Sequence, residues 1–267
     1  MTDSVGSPAS ATREPSLAGG NPRGVSATVA RPVPTAGEAI SIIAGLTLKR
    51  LLRGRLVWFV GIAAGLPSLI ALAMANKHQE ADHVARVTLG TVQFLFAILA
   101  PMLVGSSIGD ELGSKTATYL WSRPLPRWTI LVGKLVVLGP VTAAILAGSW
   151  TLSLLLGHGL LSGQAIGAVA LGGLAVSIVV AAIATIGPRH GIAFSLLYVL
   201  LIDLPIGAIP ASIRQLSVIH QTSILAGLPG ELGQPATGSP VEAAIWLVAM
   251  SAVWLALALH LLRKREA

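Results

Sequence analysis

The sequence predicts an all-α integral membrane protein of six transmembrane helices, preceded by an amphipathic interfacial helix and carrying a cytoplasmic coupling helix between the second and third spans. Three observations predict it. Of 267 residues 54% are hydrophobic and 11% charged, with a mean hydropathy of +0.78, more apolar surface than one soluble core of this length can hide. Six apolar segments recur near 56–75, 89–109, 130–156, 164–186, 191–209 and 243–262, each close to or above the roughly 20 residues a helix needs to cross hydrocarbon. Their lack of strict alternation excludes a barrel, the other structure that satisfies its backbone in lipid.

Residues 1–36 are rich in Ser, Ala, Gly, Pro and Thr without apolar periodicity and are expected to form a disordered cytoplasmic tail. No cleaved signal peptide is expected, because the first long apolar run begins near Leu56. Residues 37–55 form the amphipathic helix: Ile40, Ile43, Ala44, Leu48, Leu51 and Leu52 share one side and Lys49, Arg50 and Arg53 the other. Such a helix lies in the membrane interface or forms a plain cytoplasmic flank. Residues 56–267 hold the six-helix domain.

Basic residues set the orientation. With a cytoplasmic N-terminus, the inner flanks hold Lys49, Arg50, Arg53, Arg55, Lys115, Arg123, Arg127, Lys134, Arg189, Arg263, Lys264 and Arg265, and the outer loops only Lys77, Arg86 and Arg214. Both termini are therefore expected in the cytoplasm. The net charge of +7 reads as membrane flanks, so no nucleic acid partner is expected. Without cysteine there is no disulfide framework and no thiolate chemistry.

The one long polar interruption among the inner segments is Asp110 to Lys134, DELGSKTATYLWSRPLPRWTILVGK. Asp110 is expected to cap a short helix, Glu111 stands four residues before Lys115, and Pro124 stops the helix. Leu112, Thr116, Tyr119 and Leu120 then fall along one face, as a docking helix lying flat requires; the plainer alternative is an ordinary cytoplasmic loop. Between the fifth and sixth spans, residues 211–241 contain SIRQLSVIHQTSILAGL, too apolar for a solvated loop. A short helix or re-entrant hairpin packed on the outer end is expected.

Asp203 lies within the fifth apolar segment. A carboxylate there is expected to face the bundle interior or a water-filled transport pathway, unless Pro205 ends the helix and leaves it a local acceptor near the outer surface. His78, Glu80, Asp82 and His83 are residue types that bind zinc or copper, but their spacing fits no strong metal pattern, and neither metal nor cofactor is expected. Small residues recur at Gly173, Ser177, Ala181 and Thr185, and at Gly61 and Gly65, faces that let helices approach closely within one chain or between two. Gly139-Pro140 is expected to kink the third span.

These features together resemble the permease subunits of ABC-2 type transporters. The local match is Asp110-Glu111, Thr116, Ser122-Arg123-Pro124, Arg127 and Gly133-Lys134, similar to the family's acidic, Gly-Thr, Arg-Pro or Ser-Pro, and Gly-Lys pattern, with Lys115 where glycine is common. The resemblance implies an ATP-driven exporter in a bacterial or archaeal cell membrane, working as a homodimer or heterodimer of permeases. It implies a separate ATP-binding-cassette ATPase coupled through Asp110, Glu111, Thr116, Arg123, Pro124 and Arg127. This chain is expected not to be an enzyme, since no G-x-x-x-x-G-K-[ST] motif occurs. The competing functions are an integral-membrane enzyme, which calls for several acidic residues at matching depths, and an anchoring or assembly protein with no transport cycle.

Overall fold

In the computed structural model, the described residues are 35–54, 56–113, 127–159, 161–209, 212–228 and 238–264. Nearly all of the tail expected over 1–36 lies outside them. Helix α1 (Ala36–Arg53) starts on a capping box: the Thr35 hydroxyl accepts from the Glu38 N–H at 3.4 Å and Glu38 Oε2 accepts from the Thr35 N–H at 2.9 Å. Helix α2 (Leu56–Ala75) is the first span. Helix α3 (Ala81–Ala100) continues through a π-helical turn at Pro101–Gly105 into α4 (Ser106–Gly113). Helix α5 (Arg127–Leu156) runs through Pro140, and α6 (Gly163–Ile186) comes next.

The fifth span is segmented into a 3-10 turn at Pro188–His190, α7 (Gly191–Leu197), a π-helical stretch at Tyr198–Asp203 and α8 (Leu204–Ala208). A 3-10 turn at Ser212–Leu216 and helix α9 (Val218–Ala226) precede α10 (Pro240–Lys264), the sixth span.

Six of these stretches are long and apolar enough to cross a membrane: Trp58–Ala75, Ala81–Gly109, Trp128–Leu156, Gly163–Ile186, Pro188–Ala208 and Pro240–Lys264. The second begins eight residues before the apolar run expected from residue 89. Its start comes just after the turn at His78, whose φ is +52°, and Asp82 in the first turn complements the helix dipole. Apolarity therefore does not mark where this helix begins. The fifth continues past Pro205 because that proline occupies the first turn of α8, where a missing N–H is tolerated. The preceding turn widens, and the Leu204 N–H reaches Val199 O.

The hub of the bundle is α6, which packs against α3, α5, α7, α9 and α10. Adjacent glycines let it serve two neighbours. A β-carbon on Gly173 would stand 3.0 Å from Ala143 Cα on α5, and one on Gly172 would collide with Thr222 Oγ1 on α9 and stand 3.1 Å from the Phe96 ring on α3. Ser177, Ala181 and Thr185 are buried on the same helix, so this small-residue face is used within one chain. By contrast, β-carbons on Gly61 and Gly65 would meet nothing within 4 Å. Helices α2 and α5 run parallel and are joined by the Ser149 hydroxyl donating to Ala64 O and by Ser68 and Ser153, whose hydroxyls lie 3.3 Å apart. The outward surface carries Trp58 (77% exposed), Ile62, Leu69, Leu201, Ile245 and Val253, the side chains lipid covers in a membrane-embedded bundle.

Gly172→Ala is expected to lower the melting temperature in mild detergent, because overpacking a closed contact costs about 1–3 kcal/mol. On the same helix, Gly167→Ala enters open space and is expected to leave melting unchanged. Equal melting of the two variants would contradict the assignment of α6 as the hub.

Candidate functional site

At one end of the bundle, α4 carries Asp110 and Glu111. Asp110 lies inside this helix, not at the cap expected for it: the chain passes from α3 through the widened turn into α4 without leaving helical geometry. After Pro101 the widened turn closes with Ser106 donating its N–H to Pro101 O and its hydroxyl to Met102 O. The side chains of Asp110, Glu111 and Arg127 are outside the described residues, and so are Thr116, Arg123 and Pro124 altogether. The helix expected to continue to residue 122 is described as far as Gly113.

The seat of this stretch lies within the described residues. Ile108 is buried, and a β-carbon on Gly109 would stand 3.1 Å from Pro188 O, in the turn that opens the fifth span. From α5, Lys134 reaches across with its side chain 2% exposed and its Nζ donating to Ser107 O. A buried ammonium is tolerated only when bonded, and α4 offers the carbonyl. Next to it, a β-carbon on Gly133 would stand 3.1 Å from the Ile43 side chain and 3.2 Å from Ile40 O, so α1 lies hard against α5 here. The segment bearing Asp110 and Glu111 thus continues the second span and packs against the fourth and fifth, tied to the third by Lys134, with α1 bracing the third.

At the opposite end, Asp203 is 2% exposed. Its two carboxylate oxygens accept from the backbone N–H groups of Val218 at 2.9 Å and Ile219 at 3.2 Å, and the Ser217 side chain adds a hydrogen bond. These N–H groups are the first two of α9, which no intrahelical carbonyl can satisfy. Ser217 accepts from the third position, His220, at 3.1 Å. A carboxylate at a helix N-terminus also opposes the positive end of the dipole.

Two further side chains hold the same helix. Gln93 on α3 donates from Nε2 to Ile219 O at 3.3 Å and to Ser223 Oγ at 2.7 Å, and Gln164 on α6 donates to Leu225 O at 2.9 Å. Helix α9 is therefore the short helix expected between the last two spans, tied to the second, fourth and fifth. The Gln93 and Gln164 ties were missed in the sequence, although one amide inside TVQFLFAILA is the kind of signal that marks a bonded polar group in lipid. Among the described residues, no three His, Cys, Asp or Glu side chains come together to hold a metal ion.

Lys134→Met keeps the apolar stem and deletes the donor. It is expected to raise amide exchange across Ser106–Gly113 by about tenfold to a hundredfold, the worth of a hydrogen bond from a charged group. Unchanged exchange would mean α4 is seated without it. Asp203→Ala strands two buried donors and is expected to destabilise the protein by about 2–4 kcal/mol, read as earlier thermal unfolding in detergent, while Asp203→Asn retains one acceptor and should cost less.

The description "ABC-2 family transporter protein" matches residues 48–202, more than half of the chain and all of the first four spans. No curated protein matches the sequence. The matched region contains the seat of Asp110 and Glu111, Gly133-Lys134 and the α6 hub, and most of the fifth span. On that match the chain belongs to the ABC-2 family of transporter proteins.

Proposed function

We propose that this chain is the permease subunit of an ATP-driven exporter in a bacterial or archaeal cell membrane, powered by a separate ATP-binding-cassette ATPase. The observation that supports this reading best is the packed position of α4. The segment carrying Asp110 and Glu111 is continuous with the second span, closely packed on the fourth and fifth, and bonded to the third through Lys134. Cores packed at this density resist continuous deformation, so force applied to this segment moves spans rather than a loop. The ATPase would press on the stretch from Asp110 to Arg127, with Thr116, Arg123 and Pro124 in the docking surface and both chain termini on the same cytoplasmic side.

The chain itself hydrolyses nothing in this reading. Two permeases, identical or related, form the pathway between them. Asp203 serves transport by holding α9 over the outer end of the bundle, its carboxylate engaged by backbone donors rather than by cargo. Charge reversal of the acidic pair, Asp110→Lys with Glu111→Lys, is expected to abolish co-purification with the ATPase while leaving the permease folded in the membrane. Undiminished association would overturn the coupling assignment.

A further inference from the structure

Helix α9 meets the chain before and after it around a polar cavity of about 60 Å³, room for about two waters. Arg214 from the 3-10 turn at Ser212–Leu216, His220 and Gln221 from α9, and Glu242 and Trp246 from α10 line it. Two bonds keep the 3-10 turn on α9. Ser217 donates its N–H to Arg214 O at 3.0 Å, and Gln221, itself 2% exposed, donates from Nε2 to Gln215 O at 2.8 Å. Arg214 and His220 are therefore held around the same small space.

His220 occupies the third position of α9. Its N–H bonds Ser217 Oγ, and the two N–H groups before it bond Asp203. This is the positive end of the helix. A proton on the half-buried His220 ring adds a cation beside Arg214 and at that positive end, with few waters to screen it. The elements packed on α9 are α6, α8, α10 and the 3-10 turn. Helices α6 and α8 bring no titratable side chain. The turn brings Arg214, α10 brings Glu242, and Asp203 lies at the end of the fifth span under the same helical turn. Asp203 is engaged by its two N–H bonds and Glu242 is exposed to solvent, so the added charge meets Arg214 with little to offset it.

Burial, and after it the Arg214 charge, hold the imidazole below the ordinary histidine range. The neutral ring therefore belongs to the seated helix. Above the ordinary value of about 6.5 the seat keeps its full stability. As pH falls below that, a released α9 takes up the proton more readily than a seated one, and the seat weakens.

We infer that α9 is a proton-operated latch: protonation of His220 loosens its first turn from Asp203 and so from the fifth span. Because Thr222 of α9 also closes over Gly172 of α6, the same proton loosens the packing at this end of the bundle. The latch depends on neither an ATPase nor cargo, so it stands or falls apart from ATPase coupling.

The test is amide hydrogen exchange of the full-length chain in mild detergent at about pH 7.5 and about pH 5.5, either side of the histidine range, with rates corrected for intrinsic exchange at each pH. In the wild type, Val218–Ala226 is expected to exchange about twofold to fivefold faster at the lower pH, the worth of one partly exposed charge pair. His220→Gln keeps a polar side chain that takes up no proton and is expected to remove this acid response. His220→Asn gives the same reading if the first variant fails to fold. An undiminished acid response in a folded His220 variant would overturn the inference and assign the titration to Asp203. So would an absent response in the wild type, or slower exchange at the lower pH, the result of an imidazolium pairing with Glu242.

Discussion

A polar group left unpaired in hydrocarbon costs several kcal/mol, and that penalty accounts for most of what distinguishes this bundle from six greasy rods. Asp203 cannot stand alone at the end of the fifth span, so it takes the two N–H groups that α9 cannot satisfy itself. Gln93 likewise needs partners and finds them on the same helix. Lys134 resolves the same difficulty at the other end by bonding to Ser107 O. Each of these side chains joins elements distant in sequence, because the partners nearby in the chain are already used by helical hydrogen bonds.

The two ends are consequently built alike but placed differently along the chain. At one end α4, which completes the second span and carries Asp110 and Glu111, packs on the fourth and fifth spans and is tied to the third by Lys134. The other fastens α9 to the second, fourth and fifth spans. The second and fifth spans reach both ends, and both contain a π-helical turn, at Pro101–Gly105 and Tyr198–Asp203. Such turns add a residue to the helix and re-aim the side chains on its C-terminal side. In the fifth span this turn ends on Asp203 itself. Between the ends, Gly172 and Gly173 let α6 meet α9 and α3 on one side and α5 on another, while α2 and α10 remain largely exposed.

Much of this architecture is legible in the residues alone. Length and apolarity carry the number of spans, since hydrocarbon thickness fixes how many residues a crossing takes. The short helix α9 is legible as an apolar stretch bounded by Pro210, Pro229 and Gly230. The motif from Asp110 to Lys134 carries the family resemblance. The start of the second span is not legible, because a helix begins where turn and capping chemistry permit rather than where apolarity rises. Nor is the position of Asp110, since the helix of the second span runs on through the widened turn at Pro101–Gly105 into α4 instead of starting afresh at the polar stretch. The two alternatives for Asp203 cannot be separated either, as burial depends on where α9 comes to lie.

The sequence by itself determined an all-helical chain with six spans and an amphipathic helix before them, because those properties depend on composition and period within single segments. Only the tertiary structure decided that Lys134 bonds to Ser107, that Asp203 and Gln93 serve α9, that the glycines of α6 are closed by neighbours and those of α2 are open. Each of these bonds joins residues fifteen or more apart in the chain. A helix satisfies its own backbone, so its segment carries no local record of which neighbour its remaining polar groups and glycines will meet.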